Sequence, residues 1–552
     1  MAAPLRAMRS VNLGALAAHA LLAGPILGGL AITGAAAFGY MPALGQTHFT
    51  FAPWRRLLAE PGLWASLRLT ASVGFAAALI SLALAFAALA RRPHGAAPSL
   101  LLASPHSAIA IGLAFLIAPS GWIVRLLSPW ATGFTTPPDW ATVGDPHGLA
   151  LILGLVVKET PFLIAVAAAA VVEVSAEPQL QAARALGYGP ARAWLLVLAP
   201  QLYARIRWPL YAVLAYGLSV VDMALALAPS NPAPLSLLAL HGLTSPDLAD
   251  LLPGEAAALL QLALVGAGLA VWRVLELAAG FALARLAATG RRAGAAELLA
   301  PLLAGVARAA LALGLASVAA LALWAVTWRW PFPLALPESL TLRLAASQAA
   351  LLAAPLAATL ALAAVSAGVC LALTIAWLEG EDRLGRRVGS GLIFLPLLLP
   401  QIAFLFGVET LAAAARLDGG FLAVAWTHGL FVFPYVWLTL AGPWRHLDPR
   451  YARAASALGA GRLSTLWRVK LPILAAPLSL AFAVGVSVSV AQYLSTLFVG
   501  GGRVATLTTE ALALASGGDR RLSGVVGLAQ TLVPLAGYAG AGFVAARWGR
   551  RA

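Results

Sequence analysis

Two segments decide the fold: EPQLQAARALGYGPARAWLLVLAP, residues 177–200, and LDPRYARAASALGAGRLSTLWRVKLP, residues 447–472. Each is basic, each carries alanines before a glycine, and each ends at a proline that opens an apolar run. Gly187 and Gly459 are 272 residues apart (459 − 187), and Pro200 and Pro472 repeat that spacing, so no insertion separates the landmarks. Working outward at the same offset, Pro234–Leu240 falls on Thr506–Leu512 and Asp247 on Asp519. Upstream an offset of 273 pairs Pro161-Phe162 with Pro434-Tyr435 and Ser66-Leu67 with Ser339-Leu340. The chain reads as a duplication.

Composition says where it resides. Of 552 residues 61% are hydrophobic and 10% charged, and the mean hydropathy is +0.88; a soluble protein of this length needs far more polar surface. About twelve apolar stretches approach the ~20 residues that span a bilayer: 13–38, 66–90, 99–118, 149–172, 207–228, 255–285, 301–326, 345–377, 388–411, 419–441, 473–498 and 523–546. The expected fold is an all-α polytopic membrane protein with two parallel six-helix repeats. The first half is 1–285, with its core at about 64–285 and its basic loop at about 173–206. A basic cytoplasmic linker, 286–300, reads as a tether without chemistry of its own, and the second half is 301–552, with its core at about 337–546 and its loop at about 444–472.

The net charge of +15 does not indicate nucleic acid, whose partners gather basic residues on one soluble face. With the N-terminus inside, about two thirds of the Lys and Arg fall in cytoplasmic segments, as the positive-inside rule requires. They include Arg6, Arg9, Arg91, Arg92, Arg184, Arg192, Arg285, Arg292, Arg386, Arg450, Arg462, Arg468, Lys470, Arg547, Arg550 and Arg551. Both loops and both termini are then cytoplasmic. Cys370, the single cysteine, reads as core filler.

Local chemistry explains the loops. Asp448-Pro449 supplies an N-cap and a first-turn proline, and Gly459 ends a short helix; Glu177-Pro178 and Gly187 repeat the pattern. Ala182, Ala183, Ala454 and Ala455 leave room for another backbone, so each loop has the form of a docking knob. On Gln181-Ala182-Ala183, Gly187 and Ala199-Pro200, and again on Arg453-Ala454-Ala455, Gly459 and Leu471-Pro472, the chain resembles the EAA loop of binding-protein-dependent ABC transporter permeases. The glutamate of that motif is replaced by Gln181 and Arg453. The resemblance covers nearly the whole chain and lies nearest the fused permeases of the thiamine and iron(III) group, with the run Ala491–Glu510 similar to the thiamine-type branch. It implies a bacterial inner-membrane import subunit, a partner ATP-binding subunit present as a homodimer on the two loops, a periplasmic substrate-binding protein, and thiamine or a related compound as substrate. Iron(III), another small ion or a polyamine are the alternatives within that group. Independently, the two lysines of this chain, Lys158 and Lys470, precede Glu159 and Leu471, so neither completes a P-loop.

Charged residues inside a bilayer face partners or cavities. The candidates for a translocation path are Lys158, Glu159, Asp222, His428, Tyr435, Gln492, Tyr493 and Glu510. Adjacent residues diverge on a helix, so Lys158 and Glu159 are expected to have separate partners, whereas Arg273 and Glu276 can meet at i,i+3; His428 reads first as a satisfied interior histidine. No catalytic constellation, metal spacing or cofactor is expected. Two other classes fit twelve helices in parallel halves: a secondary transporter driven by an ion gradient, and a membrane scaffold without flux.

Overall fold

The protein is described from a computed structural model covering residues 12–91, 97–417 and 419–548; Arg6, Arg9, Arg92, Arg550 and Arg551 of the charge-bias argument, and both chain ends, lie outside the described residues. Among those described, helices account for nearly all regular structure. The exception is a short antiparallel pair, Thr327–Arg329 with Ser339–Leu340. Nine helices are long and apolar enough to cross a bilayer, or eleven when two sharply bent pairs each count as one span. The fold is all-α and polytopic.

The apolar stretch 388–411, expected as one span, is a broken one: Gly391–Leu398 and Ile402–Ala414 meet at 112°. Pro400 at the corner has no N–H and its ring excludes a helical predecessor. In the same way 99–118 divides at Ser104-Pro105 into Ala97–Ala103 and His106–Ile117. Two more breaks need no proline: Ala199–Ser219 gives way to Asp222–Leu227, and Ala475–Val490 to Leu494–Gly500. Carbonyls released there are taken up by hydroxyls, Ser236 Oγ donating to Val220 O at 2.6 Å and Thr508 Oγ1 to Val490 O, which meets the requirement that backbone inside a bilayer be satisfied internally.

The elements recur in order. Leu149–Glu173, with Pro161 inside it, answers to Phe421–Arg445 with Pro434; Ala176–Ala185 answers to Pro449–Ala457. Single π-helical turns stand at Trp194–Leu198 and Leu466–Lys470. Leu235–Thr244 and Leu507–Ala515 follow, then Leu251–Ala288 and Arg520–Trp548. Asp247 caps the turn before Leu251–Ala288 and Asp519 caps Arg520–Trp548 itself, accepting from Ala249 N and Arg521 N at 2.9 Å. The Asp519 carboxylate also pairs with the Arg521 side chain at 3.2 Å, which holds it below the usual aspartate range. One pairing from sequence fails: Ser66 lies within the helix Leu63–Ala90, whereas Ser339-Leu340 forms a strand. The structural counterparts are Thr70 and Thr359, whose hydroxyls accept from Leu235 N and Leu507 N at 2.9 Å.

Packing interlocks the two runs of elements. The leading helix Leu13–Ala37 crosses to Arg343–Leu384 and Ile402–Ala414; Asn12 Nδ2 donates to Trp377 O at 2.9 Å, and Trp426 Nε1 donates to Leu21 O at 2.8 Å. Gly29 and Gly407 lie backbone to backbone at the crossing, the close approach that small residues permit between membrane helices. Reciprocally, Ala296–Ala325 packs on His106–Ile117, Leu63–Ala90 and Arg520–Trp548. Trp377, Phe404 and Phe433 fill the largest core, while exposed Leu79, Val369, Leu438 and Leu532 suit contact with acyl chains.

Candidate functional site: a cavity between four helix breaks

Each of the four breaks contributes wall to one cavity of about 370 Å³. Ser104, Pro105 and His106 come from the first, Ser219, Val221 and Asp222 from the second, Pro396, Leu397 and Gln401 from the third, and Ala491, Gln492 and Tyr493 from the fourth. Lys158, Glu159 and Tyr435, from the two proline-containing helices, add to the polar lining. Six of the eight sequence candidates therefore converge: Lys158, Glu159, Asp222, Tyr435, Gln492 and Tyr493.

Lys158 and Glu159 diverge as their helix geometry requires. The Lys158 ammonium donates to Leu101 O at 2.6 Å, Leu102 O at 3.3 Å and Ser104 O at 2.5 Å. These are carbonyls at the C-terminal end of Ala97–Ala103 and its corner, which have no helical partner and carry the negative end of the helix dipole. With all three N–H groups engaged, Lys158 braces the corner from behind. Glu159 Oε1 meets His106 Nε2 at 3.1 Å; the His106 ring packs on Tyr216 with centroids 4.7 Å apart; Tyr216 donates to Asp222 Oδ1 at 2.7 Å. A string of carboxylate, imidazole, phenol and carboxylate thus crosses the wall. Tyr435, Tyr493, Tyr538, Phe162 and Phe431 complete an aromatic surround. The wall therefore holds two carboxylates and one ammonium among phenol rings.

The other two candidates lie elsewhere. His428 is buried with Nδ1 at 2.8 Å from Ser489 Oγ and Nε2 at 2.9 Å from Thr496 Oγ1, an interior histidine with both nitrogens satisfied. Glu510 sits in the first turn of Leu507–Ala515, where acidic residues complement the helix dipole, and is absent from the cavity wall. Sequence reading passed over His106, Tyr216 and Tyr538. His106 had a signal, a polar residue directly after Ser-Pro within an apolar run; the tyrosines had none.

The basic loops expose corresponding positions. Ala183 and Ala455 face inward, while Gln181, Ala182, Gly187, Arg453, Ala454 and Gly459 are exposed. Gly187 has φ +86° and Gly459 φ +80°. Leu186 and Leu458, one residue before these glycines, are 65% and 89% exposed; large apolar side chains so fully presented on a basic knob mark a contact surface. Asp448 caps the second loop helix, accepting from Arg450 N at 2.8 Å. The first loop departs from the expected Glu177 cap: its helix starts at Ala176 after Ser175, which has φ +49°. Pro200 and Pro472 each follow the π turn, at the start of the next helix. Behind the second loop Lys470 joins Glu379 at 2.6 Å and Asp382 at 2.7 Å, and Arg445 joins Glu381 at 2.9 Å. Elsewhere Arg273 meets Glu276 at 2.6 Å, as expected, and Arg207 joins them at 2.5 Å.

Over 516 residues, 92% of each chain, the sequence is 32% identical to the inner membrane ABC transporter permease protein YnjC of Escherichia coli (strain K12). Over 117 residues, 21% of this chain and 46% of the relative, it is 25% identical to the spermidine/putrescine transport system permease protein PotC of Haemophilus influenzae. No family model matches.

Proposed function

The chain belongs to the inner membrane ABC transporter permeases, and we propose that it is the membrane subunit of an importer for a small organic cation of the thiamine type. In this reading 1–285 and 301–552 are its two halves, joined by 286–300, with both termini in the cytoplasm. A periplasmic binding protein delivers the substrate, and a homodimeric ATP-binding subunit docks on the loops that carry Gln181, Ala182, Ala183, Gly187 and Pro200, and Arg453, Ala454, Ala455, Gly459 and Pro472. ATP-driven closure of that dimer moves the loops, and the four broken helices open the cavity to one side and then the other.

The observation that carries the substrate class is the cavity wall. Glu159 and Asp222 supply negative charge among Tyr216, Tyr435, Tyr493 and Tyr538, and Lys158 is occupied by main-chain carbonyls. Thiamine combines a cationic thiazolium with an aromatic pyrimidine, so rings and charge are both matched. A second reading, a linear polyamine, is favoured by the paired carboxylates and by the name of the Haemophilus relative.

The test is uptake into proteoliposomes holding this chain with its candidate ATPase and binding protein, using labelled thiamine, spermidine and iron(III) in parallel. ATP-dependent accumulation of thiamine alone supports the first reading, and of spermidine alone the second. Iron(III) uptake overturns the organic-cation reading. Uptake driven by a proton or sodium gradient without the ATPase overturns the importer.

A further inference from the structure

The linker is more than a tether. Gly189 N donates to Arg292 O at 3.0 Å, and the Glu297 carboxylate accepts from Ala191 N at 3.3 Å and Arg192 N at 3.0 Å. Those amides open the short helix Pro190–Ala193 of the first loop, so they have no helical acceptor of their own. The linker also reaches both loop glycines: a Cβ on Gly187 would meet the Arg292 side chain, and a Cβ on Gly189 would meet that of Glu297.

The second loop provides an internal comparison. Gly459 and Gly461 stand at the equivalent positions, and among the described residues nothing lies within 4 Å of a Cβ added to either. That loop is held instead by ion pairs from Lys470 to the end of Arg343–Leu384. The two loops therefore have the same outward surface and different attachments behind it.

Glu297 lies in the first turn of Ala296–Ala325. This helix crosses the bilayer against His106–Ile117, with Gly112 packed on the Ser317 main chain, and against Arg520–Trp548, with Gly524 packed on Leu321–Ala325. Its contacts thus run from the loop at one end to the helix that places His106 in the cavity wall.

We propose that Arg292 and Glu297 bind the first loop to Ala296–Ala325 as one moving unit, so that the linker carries the loop's displacement to the cavity wall at His106 and to the last helix. Glu297 is a positioning residue in this device, which rests on the loops being the ATPase contact.

The experiment measures substrate transported per ATP hydrolysed in proteoliposomes of the full chain with its ATPase and binding protein. Glu297→Ala is expected to lower that ratio about tenfold while the ATPase subunit co-purifies in undiminished amount, and Glu297→Asp to recover most of it. Gly189→Ala, which displaces the carboxylate, is expected to lose at least threefold more than Gly461→Ala. Separately, Ala191→Cys with Glu297→Cys, joined by a short bis-maleimide, is expected to retain at least half of the uptake, since loop and linker move together; the buried Cys370 stays out of the reaction. An unchanged ratio in Glu297→Ala, equal losses at the two glycines, or uptake abolished by the cross-link would each overturn the proposal. If Glu297→Ala does not fold, the cross-linked protein decides. Absence of ATP-dependent uptake in the unmodified protein is a different failure and sinks the importer reading.

Discussion

Lys158 and Glu159 adjoin in sequence and serve different ends of the same wall. Their divergence was legible from helical geometry, since neighbours point about 100° apart; the partners were not, because the carbonyls that hold Lys158 exist as free acceptors only through the break at Ser104-Pro105. Lys158→Met leaves the buried carbonyls of Leu101 and Ser104 without their donor and is expected to cost about 2–3 kcal/mol, read as a lowered melting temperature in detergent. Asp222→Asn and Glu159→Gln keep the shape and remove charge. Each is expected to weaken uptake of a cationic substrate about tenfold with the ATPase still bound; unchanged uptake would count against the cation site. His428→Leu is expected to behave oppositely, destabilising by about 1–3 kcal/mol through the orphaned Ser489 hydroxyl, with substrate affinity unaltered in a binding titration.

At the scale of elements, the loops were the most readable part of the chain. Cap, glycine and terminal proline are local signals with local causes, and Asp448, Gly459 and Pro472 stand where those causes place them. The first loop started earlier than expected because Ser175 turns the chain in the left-handed region before Glu177 is reached. Two of the broken helices were illegible for a related reason: mean hydropathy over a window registers apolar length, and a corner with the same composition as the helix around it leaves the average unchanged; the other two carry Pro105 and Pro400 at their corners. Leu186→Asp and Leu458→Asp are expected to abolish co-purification of the ATPase subunit while leaving the melting temperature within a degree or two, since both side chains are already in solvent. Gly459→Ala is expected to cost about 1–2 kcal/mol for a left-handed residue with a Cβ, measurable by thermal unfolding.

Across the whole molecule, periodicity and length supplied the spans, whereas partner choice depends on surfaces that a single sequence does not pair. The leading helices are the main example: Leu13–Ala37 lies against Leu251–Ala288 of the first half and also against Arg343–Leu384 and Ile402–Ala414 of the second. The linker was dismissed for the same reason, because nothing in RRAGAAELL announces that its glutamate meets amides 105 and 106 residues earlier. Chain cut after Gly290 and produced as two co-expressed pieces is expected to co-purify as a complex, because each piece grips the other with its first helix; pieces that separate on a sizing column would contradict that clasp.

The same clasp sets a timetable for synthesis. The acceptor of the Trp426 indole is the carbonyl of Leu21, 405 residues nearer the N-terminus. At about 5–20 residues per second, Leu21 waits roughly 20–80 seconds before Trp426 has been made. During that interval Leu251–Ala288 is already available to the leading helix, whereas the face around Gly29 still lacks Phe404, Gly407 and Val408.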